Sequence, residues 1–221
     1  MTQMVSERPS VAVRGAGRFE VLLLLLVLVL ALAPIESTVF EPVIVALLGG
    51  VLVFALWTSS ATTALVWLGA GLALACVVTS AVAPVWAASS KGAYALVSIL
   101  LSLAAIVSIV THLTQRRATT LTTLSGAVAI YLLVGLSFAD VYMFMAQLPG
   151  TTFFAQTGPH DSVHYVYYSF TTLTTVGFGD LSAGTDPGRM LTVTEALLGQ
   201  LYLVTVVAFI VASHRGRGAE R

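Results

Sequence analysis

The stretch TTLTTVGFGD, Thr171 to Asp180, gathers four threonines, two glycines and an aspartate in a chain that is otherwise mostly aliphatic. It holds no nucleophile beside a base and no cluster of metal-ligating side chains, so what it offers is oxygen. Gly177 and Gly179 can take positive φ at little steric cost, which lets successive carbonyls turn to one side. The carbonyls of Thr175, Val176, Gly177 and Phe178, with the Thr175 hydroxyl at one end, could then replace the water shell of a cation. Val176 and Phe178 have side chains able to pack away from those oxygens and hold the strand open.

The rest of the chain says where such a strand can lie. Of 221 residues, 57% are hydrophobic and 9% charged, against about 25% charged in a soluble domain. With a mean hydropathy of +0.96, this composition belongs to an integral membrane protein. Ten basic residues balance ten acidic ones, which gives no reason to expect a nucleic-acid partner. The single cysteine, Cys76, lies in an apolar run and cannot form an intrachain disulfide.

A helix needs about 20 apolar residues to cross the hydrocarbon core. Five stretches meet or approach that length: 43–57, 64–82, 93–113, 121–148 and 190–212. The short TSSATT segment makes the first two of these a helical hairpin. A sixth stretch, 19–35, follows Arg14 and Arg18 and ends in Ala31-Leu32-Ala33. That pattern also describes a signal peptide. Pro34 would then begin the mature chain, an awkward scissile bond, so a retained helix is expected.

With six crossings and both ends cytoplasmic, Arg8, Arg14, Arg18, Arg116, Arg117, Arg215, Arg217 and Arg221 lie inside, and only Lys91 and Arg189 outside. This follows the tendency of basic residues to stay on the cytoplasmic side. It puts the segment between 148 and 189 outside, with Thr171–Asp180 dipping into the membrane. Irregular backbone at that depth must be buried in protein or line a watery path.

TTVGFGD resembles the selectivity filter of tetrameric potassium channels, usually written TVGYG. The resemblance covers about 121–214 as outer helix, pore helix, filter and inner helix. It implies potassium coordination by Thr175, Val176, Gly177 and Phe178, with Gly179 completing the motif and Asp180 behind the outer mouth. Upstream, DSVHYVYYSFTTLT suits a short pore helix capped by Asp161 or Ser162, its negative end aimed at the cavity below the filter. Phe178 replaces the commoner tyrosine, so restraint behind the filter must come from packing against Tyr167 and Tyr168. A somewhat less rigid filter follows.

On the inner helix, Gly199 lies where this family often has a bending glycine; close packing against the pore helix is a second reading, compatible with the first. Glu195 sits about 12 Å along that helix from Pro187 at 1.5 Å per residue. A carboxylate at that depth needs partners, either pore-helix threonines such as Thr171 or an outer watery crevice. Asp140 is expected at the membrane interface. His160 and His164 are expected as solvated residues near the outer approach, a proton sensor being the alternative.

The expected fold is all-α and membrane-embedded: a tail over 1–18, a four-helix domain over 19–114, a pore domain over 118–214 and a short tail over 215–221. The fourth segment has no arginine before Arg116 and Arg117. A charge crossing the field gains about 2.3 kcal/mol per 100 mV, so conventional voltage gating is not expected. Neither tail is long enough for a nucleotide-binding domain, and the first four helices read as a scaffold. The resemblance implies a homotetramer in the plasma membrane that passes potassium passively, with no enzymatic activity and no cofactor beyond the permeant ion. The alternatives are a weakly selective cation channel, a non-conducting subunit that needs a partner, and a transporter or structural membrane protein.

Overall fold

The computed structural model describes residues 13–34, 41–59, 61–82, 87–115 and 120–218. Seven helices account for almost all of them: α1 (Val13–Leu32), α2 (Glu41–Thr58), α3 (Thr63–Val82), α4 (Ala87–Gln115), α5 (Thr120–Ala146), α6 (Ser162–Leu173) and α7 (Asp186–Gly218). Among the described residues, 92–114, 122–146 and 186–208 are long and apolar enough to cross a membrane; 45–58 and 63–78 are shorter apolar helices. Of the basic residues used above for orientation, Arg8, Arg116, Arg117 and Arg221 lie outside the described residues.

The first helix is built into the core. Phe19, Leu22, Leu26 and Val29 recur at helical spacing and are all buried. They join Leu52, Ala55 and Leu56 of α2, Ala105 and Ile109 of α4, and Ala129, Ile130 and Leu133 of α5 in one cluster. Stripping α1 would expose that cluster. At the C-terminal end of α2, beside this cluster, the Arg18 guanidinium lies 4.1 Å from the Trp57 ring centroid, where its charge meets the ring's negative face. The α2–α3 hairpin closes tightly because Gly49 has no side chain: a Cβ there would stand 2.9 Å from that of Ala73. The four-helix unit therefore packs directly on α5 of the same chain.

Between α5 and α6 the chain forms a cap. Phe154 and Ala183 form an isolated antiparallel bridge, flanked by Ala155 N–H donating to Ser182 O at 2.8 Å and Gly184 N–H to Phe153 O at 2.8 Å. Gln156 clasps Ser182 from both sides, its Nε2 donating to Oγ and its Oε1 accepting from the backbone N–H. Beneath the cap Tyr142, Phe153, Phe154, Tyr165 and Tyr168 form a buried aromatic cluster. The segment following Asp180 is thus anchored to the segment preceding α6.

Candidate functional site

Helix α6 is amphipathic in a way that assigns each residue a job. Tyr165, Tyr168, Ser169, Thr172 and Leu173 are buried; their spacing keeps them on one face of a 3.6-residue period. Tyr167 and Thr171, four apart, share the opposite face. Asp161 is the N-cap, and its N–H donates to His164 Nδ1 at 3.1 Å.

At the other end, the last carbonyls of α6 are claimed by the strand that follows. Thr174 N–H donates to Phe170 O, Thr175 N–H to Thr172 O, and both Val176 and Gly177 N–H to Thr171 O, all within 3.0 Å. Leu173 O accepts from the Tyr131 hydroxyl at 3.1 Å. The carbonyls that a helix C-terminus leaves unpaired therefore suspend the strand from the helix.

The strand itself alternates in hand. Thr175, Gly177 and Gly179 have φ of 60°, 51° and 80°, whereas Val176 and Phe178 stay at negative φ. In an extended strand successive carbonyls point to opposite sides; reversing the sign of φ at every second residue brings them to the same side. Glycine does this cheaply, but Thr175 is β-branched and rarely found at positive φ, a conformation costing about 1–3 kcal/mol. The alternation of φ is maintained through that residue despite its preference.

Phe178 stacks on Tyr167, with ring centroids 6.2 Å apart and planes 4° from parallel. Tyr167 also donates its hydroxyl to Asp180 Oδ2 at 2.9 Å. One side chain therefore steadies both the end of the strand and the carboxylate beyond it. Tyr168, expected beside Tyr167 behind Phe178, is elsewhere: it faces the aromatic cluster and pairs with Thr192 Oγ1 at 2.9 Å. Adjacent helical residues diverge by about 100°, so only one of the two tyrosines can face the strand.

Glu195 is fully buried, which removes the watery crevice. Its partners are not threonines. Tyr142 donates to Oε2 at 2.5 Å, and Ser169 Oγ lies 2.5 Å from Oε1. Ser169 Oγ is also 2.6 Å from Gly135 O, so α5, α6 and α7 meet at one polar knot. Thr171 instead donates its hydroxyl to Tyr168 O, and its own carbonyl carries the strand.

One turn further along α7, Gly199 touches the end of α6. A Cβ there would fall 2.3 Å from Leu173 O, far inside contact distance, so close packing requires a glycine here. Gly135 of α5 does the same for the Phe170 ring, which a Cβ would approach to 2.8 Å. Tyr202 completes the arrangement, donating to Ala127 O at 2.6 Å and stacking on Tyr131.

Asp140 gains a partner, and one further expectation changes. Asp140 is held between helices, its Oδ2 accepting from Ser98 of α4 at 2.5 Å. His160 is half-buried, edge-on to Phe154 with ring centroids at 4.7 Å. The sequence reading missed Tyr142, Ser169, Gly135, Tyr131 and Thr192. For Ser169 a signal was present: it shares the helical spacing of Tyr165 and Thr172, whereas Thr171 does not.

The segment that holds this arrangement is similar to known proteins by family: residues 118–213 match the family model described as ion channel. No curated protein and no solved structure matches. The match supports an ion channel, a class of membrane protein whose work is to pass ions rather than to make or break covalent bonds.

Proposed function

We propose that this chain is a potassium-selective channel subunit whose Thr175, Val176, Gly177 and Phe178 carbonyls line the ion path. The observation that carries the reading is the alternating hand of the strand, positive φ at Thr175, Gly177 and Gly179, because it turns consecutive carbonyls toward one side. A dehydrated cation needs oxygens all round it and one strand covers only one side, so four copies around an axis complete the site. Val176 and Phe178 are 54% and 69% exposed in the single chain, as expected of side chains that pack against a neighbouring copy. Along α7, Leu197, Leu198, Leu201 and Val204 are likewise exposed, a face suited to the partner helices and the pore. The α6 C-terminus directs its negative end toward the space below the strand, favouring a cation there.

In this reading six helices cross the membrane with both ends cytoplasmic, and α6 with its strand is a re-entrant element entered from the 147–161 side. The first four helices carry no sensor charge in their membrane core and brace α5. Flux of potassium into liposomes containing the purified chain, compared with Gly177→Ala, tests the reading. Potassium-dependent flux that the substitution removes is expected, with an assembly mass four times the 23.2 kDa chain. Equal sodium and potassium flux would replace this reading with a weakly selective cation channel.

A further inference from the structure

A cavity of about 480 Å³ lies where the four-helix unit meets α5 and the start of α6. Its walls are mostly apolar, from Leu30, Leu48, Leu52, Val97, Leu101, Leu136 and Met143, but its lining also includes Tyr94, Ser98, Asp140, His160 and Asp161. Two of these polar groups are orphaned: the Tyr94 hydroxyl and His160 Nδ1 are buried without a hydrogen-bond partner. Buried polar atoms are rarely left so, and each one calls for an occupant or a reason.

The chemistry of the lining specifies the occupant. His160 Nε2 lies 3.2 Å from Gln156 O; a carbonyl only accepts, so in the neutral ring Nε2 holds the proton and Nδ1 presents a lone pair. Asp140 spends Oδ2 on Ser98 and keeps Oδ1 for another donor. The Tyr94 oxygen can accept as well. Among the described lining residues there are two carboxylates and neither lysine nor arginine. Acceptors, the Asp140 carboxyl group among them, thus line a space with apolar walls. A group with several donors and a positive charge fits it, and an ammonium has three N–H donors.

We propose that this cavity binds a primary ammonium group carried on a compact apolar body. The occupant would touch α6 directly, since Ser162, Val163, Tyr165 and Val166 form part of the wall. The helix whose far end suspends the Thr175–Gly179 strand is therefore within reach of a ligand bound to the scaffold. That coupling rests on the conduction reading above; the binding does not.

The test is calorimetric titration of hexylammonium into the full chain in phosphatidylcholine nanodiscs, whose quaternary headgroup has no N–H to offer. Hexanol and hexanoate, which share the apolar body, serve as comparators. Hexylammonium is expected to bind, hexanol about tenfold or more weakly, and hexanoate not at all, because hydrogen bonds to a charged group are the strong ones. Asp140→Asn should weaken the amine about tenfold. Tyr94→Phe, which removes only an orphaned hydroxyl and should leave the fold intact, should weaken it several-fold. Competition when phosphatidylethanolamine replaces phosphatidylcholine would identify a lipid headgroup as a source of the same chemistry. Equal binding of hexanol and hexylammonium, indifferent to both substitutions, would overturn the proposal in favour of a merely apolar cavity. Absence of any saturable binding would overturn it in favour of water. Flux that hexylammonium alters in the parent but not in Asp140→Asn would establish the coupling; flux unchanged while the amine is bound would refute it.

Discussion

Replacing Glu195 separates a bonded role from a charged one. In Glu195→Ala, the Tyr142 hydroxyl loses its acceptor while both side chains around it stay buried. Ser169 keeps Gly135 O at 2.6 Å and is the lesser casualty. An unsatisfied buried hydroxyl costs about 1–3 kcal/mol, and the space left by the carboxyethyl group adds a packing loss. The total is about 2–5 kcal/mol. Glutamine reproduces the pattern instead: its amide N–H donates to Ser169 Oγ, Ser169 donates to Gly135 O, and the amide oxygen accepts from Tyr142. Its cost should stay below about 1 kcal/mol. The readout is the thermal unfolding midpoint of purified protein followed by tryptophan fluorescence, where each kcal/mol is worth about 2–4 °C for a chain of this size. The alanine variant should unfold several degrees lower and the glutamine variant close to the parent. Tyr142→Phe combined with Glu195→Ala should cost less than the two separately, since they share one bond. A glutamine variant as unstable as alanine would refute the bonded role and point to the charge. An alanine variant indistinguishable from the parent would refute the burial.

Gly199→Ala should lower stability and abolish conduction together, because its Cβ must displace Leu173 O from 2.3 Å and overpacking costs about 1–3 kcal/mol; retained selective conduction with altered opening alone would favour the bending reading. Tyr167→Phe removes the bond to Asp180 at an exposed position, so the unfolding midpoint should hardly move while currents decay faster during sustained conduction; unchanged kinetics would remove Tyr167 as a support. Gly135→Ala should destabilise the α5–α6 contact through the Phe170 ring 2.8 Å away, measurable as faster amide exchange in α6, and exchange like the parent's would show that the ring can move aside.

What was legible in the sequence was whatever depends on neighbours along the chain. Apolar runs located the helices, Asp161 announced the start of α6, and the glycines at 177 and 179 announced a strand of unusual hand. The partners of Glu195 were not legible, because Tyr142 and Ser169 are 53 and 26 residues away and meet it only through three packed helices. Thr171 was a reasonable candidate by composition but lies on the wrong face of α6. The same 100° turn that separates Ser169 from its neighbours sent Tyr168 into the aromatic cluster and left Tyr167 on the strand. The cap pairing Phe154 with Ala183 had no local signal, since each side is irregular backbone that acquires its partner only when the fold brings them together. For Gly199 the sequence offered bending and close packing together, and the contact with the Leu173 carbonyl, made across two helices, had no local signal.

The central claim, that the Thr175–Gly179 strand selects potassium, is tested most directly by the reversal potential of the purified channel in a planar bilayer with potassium on one side and sodium on the other. The account predicts a potential strongly displaced in the direction set by potassium, and loss of that displacement or of all current in Gly177→Ala, where φ of 51° disfavours a side chain. A reversal potential near zero with robust current would contradict it.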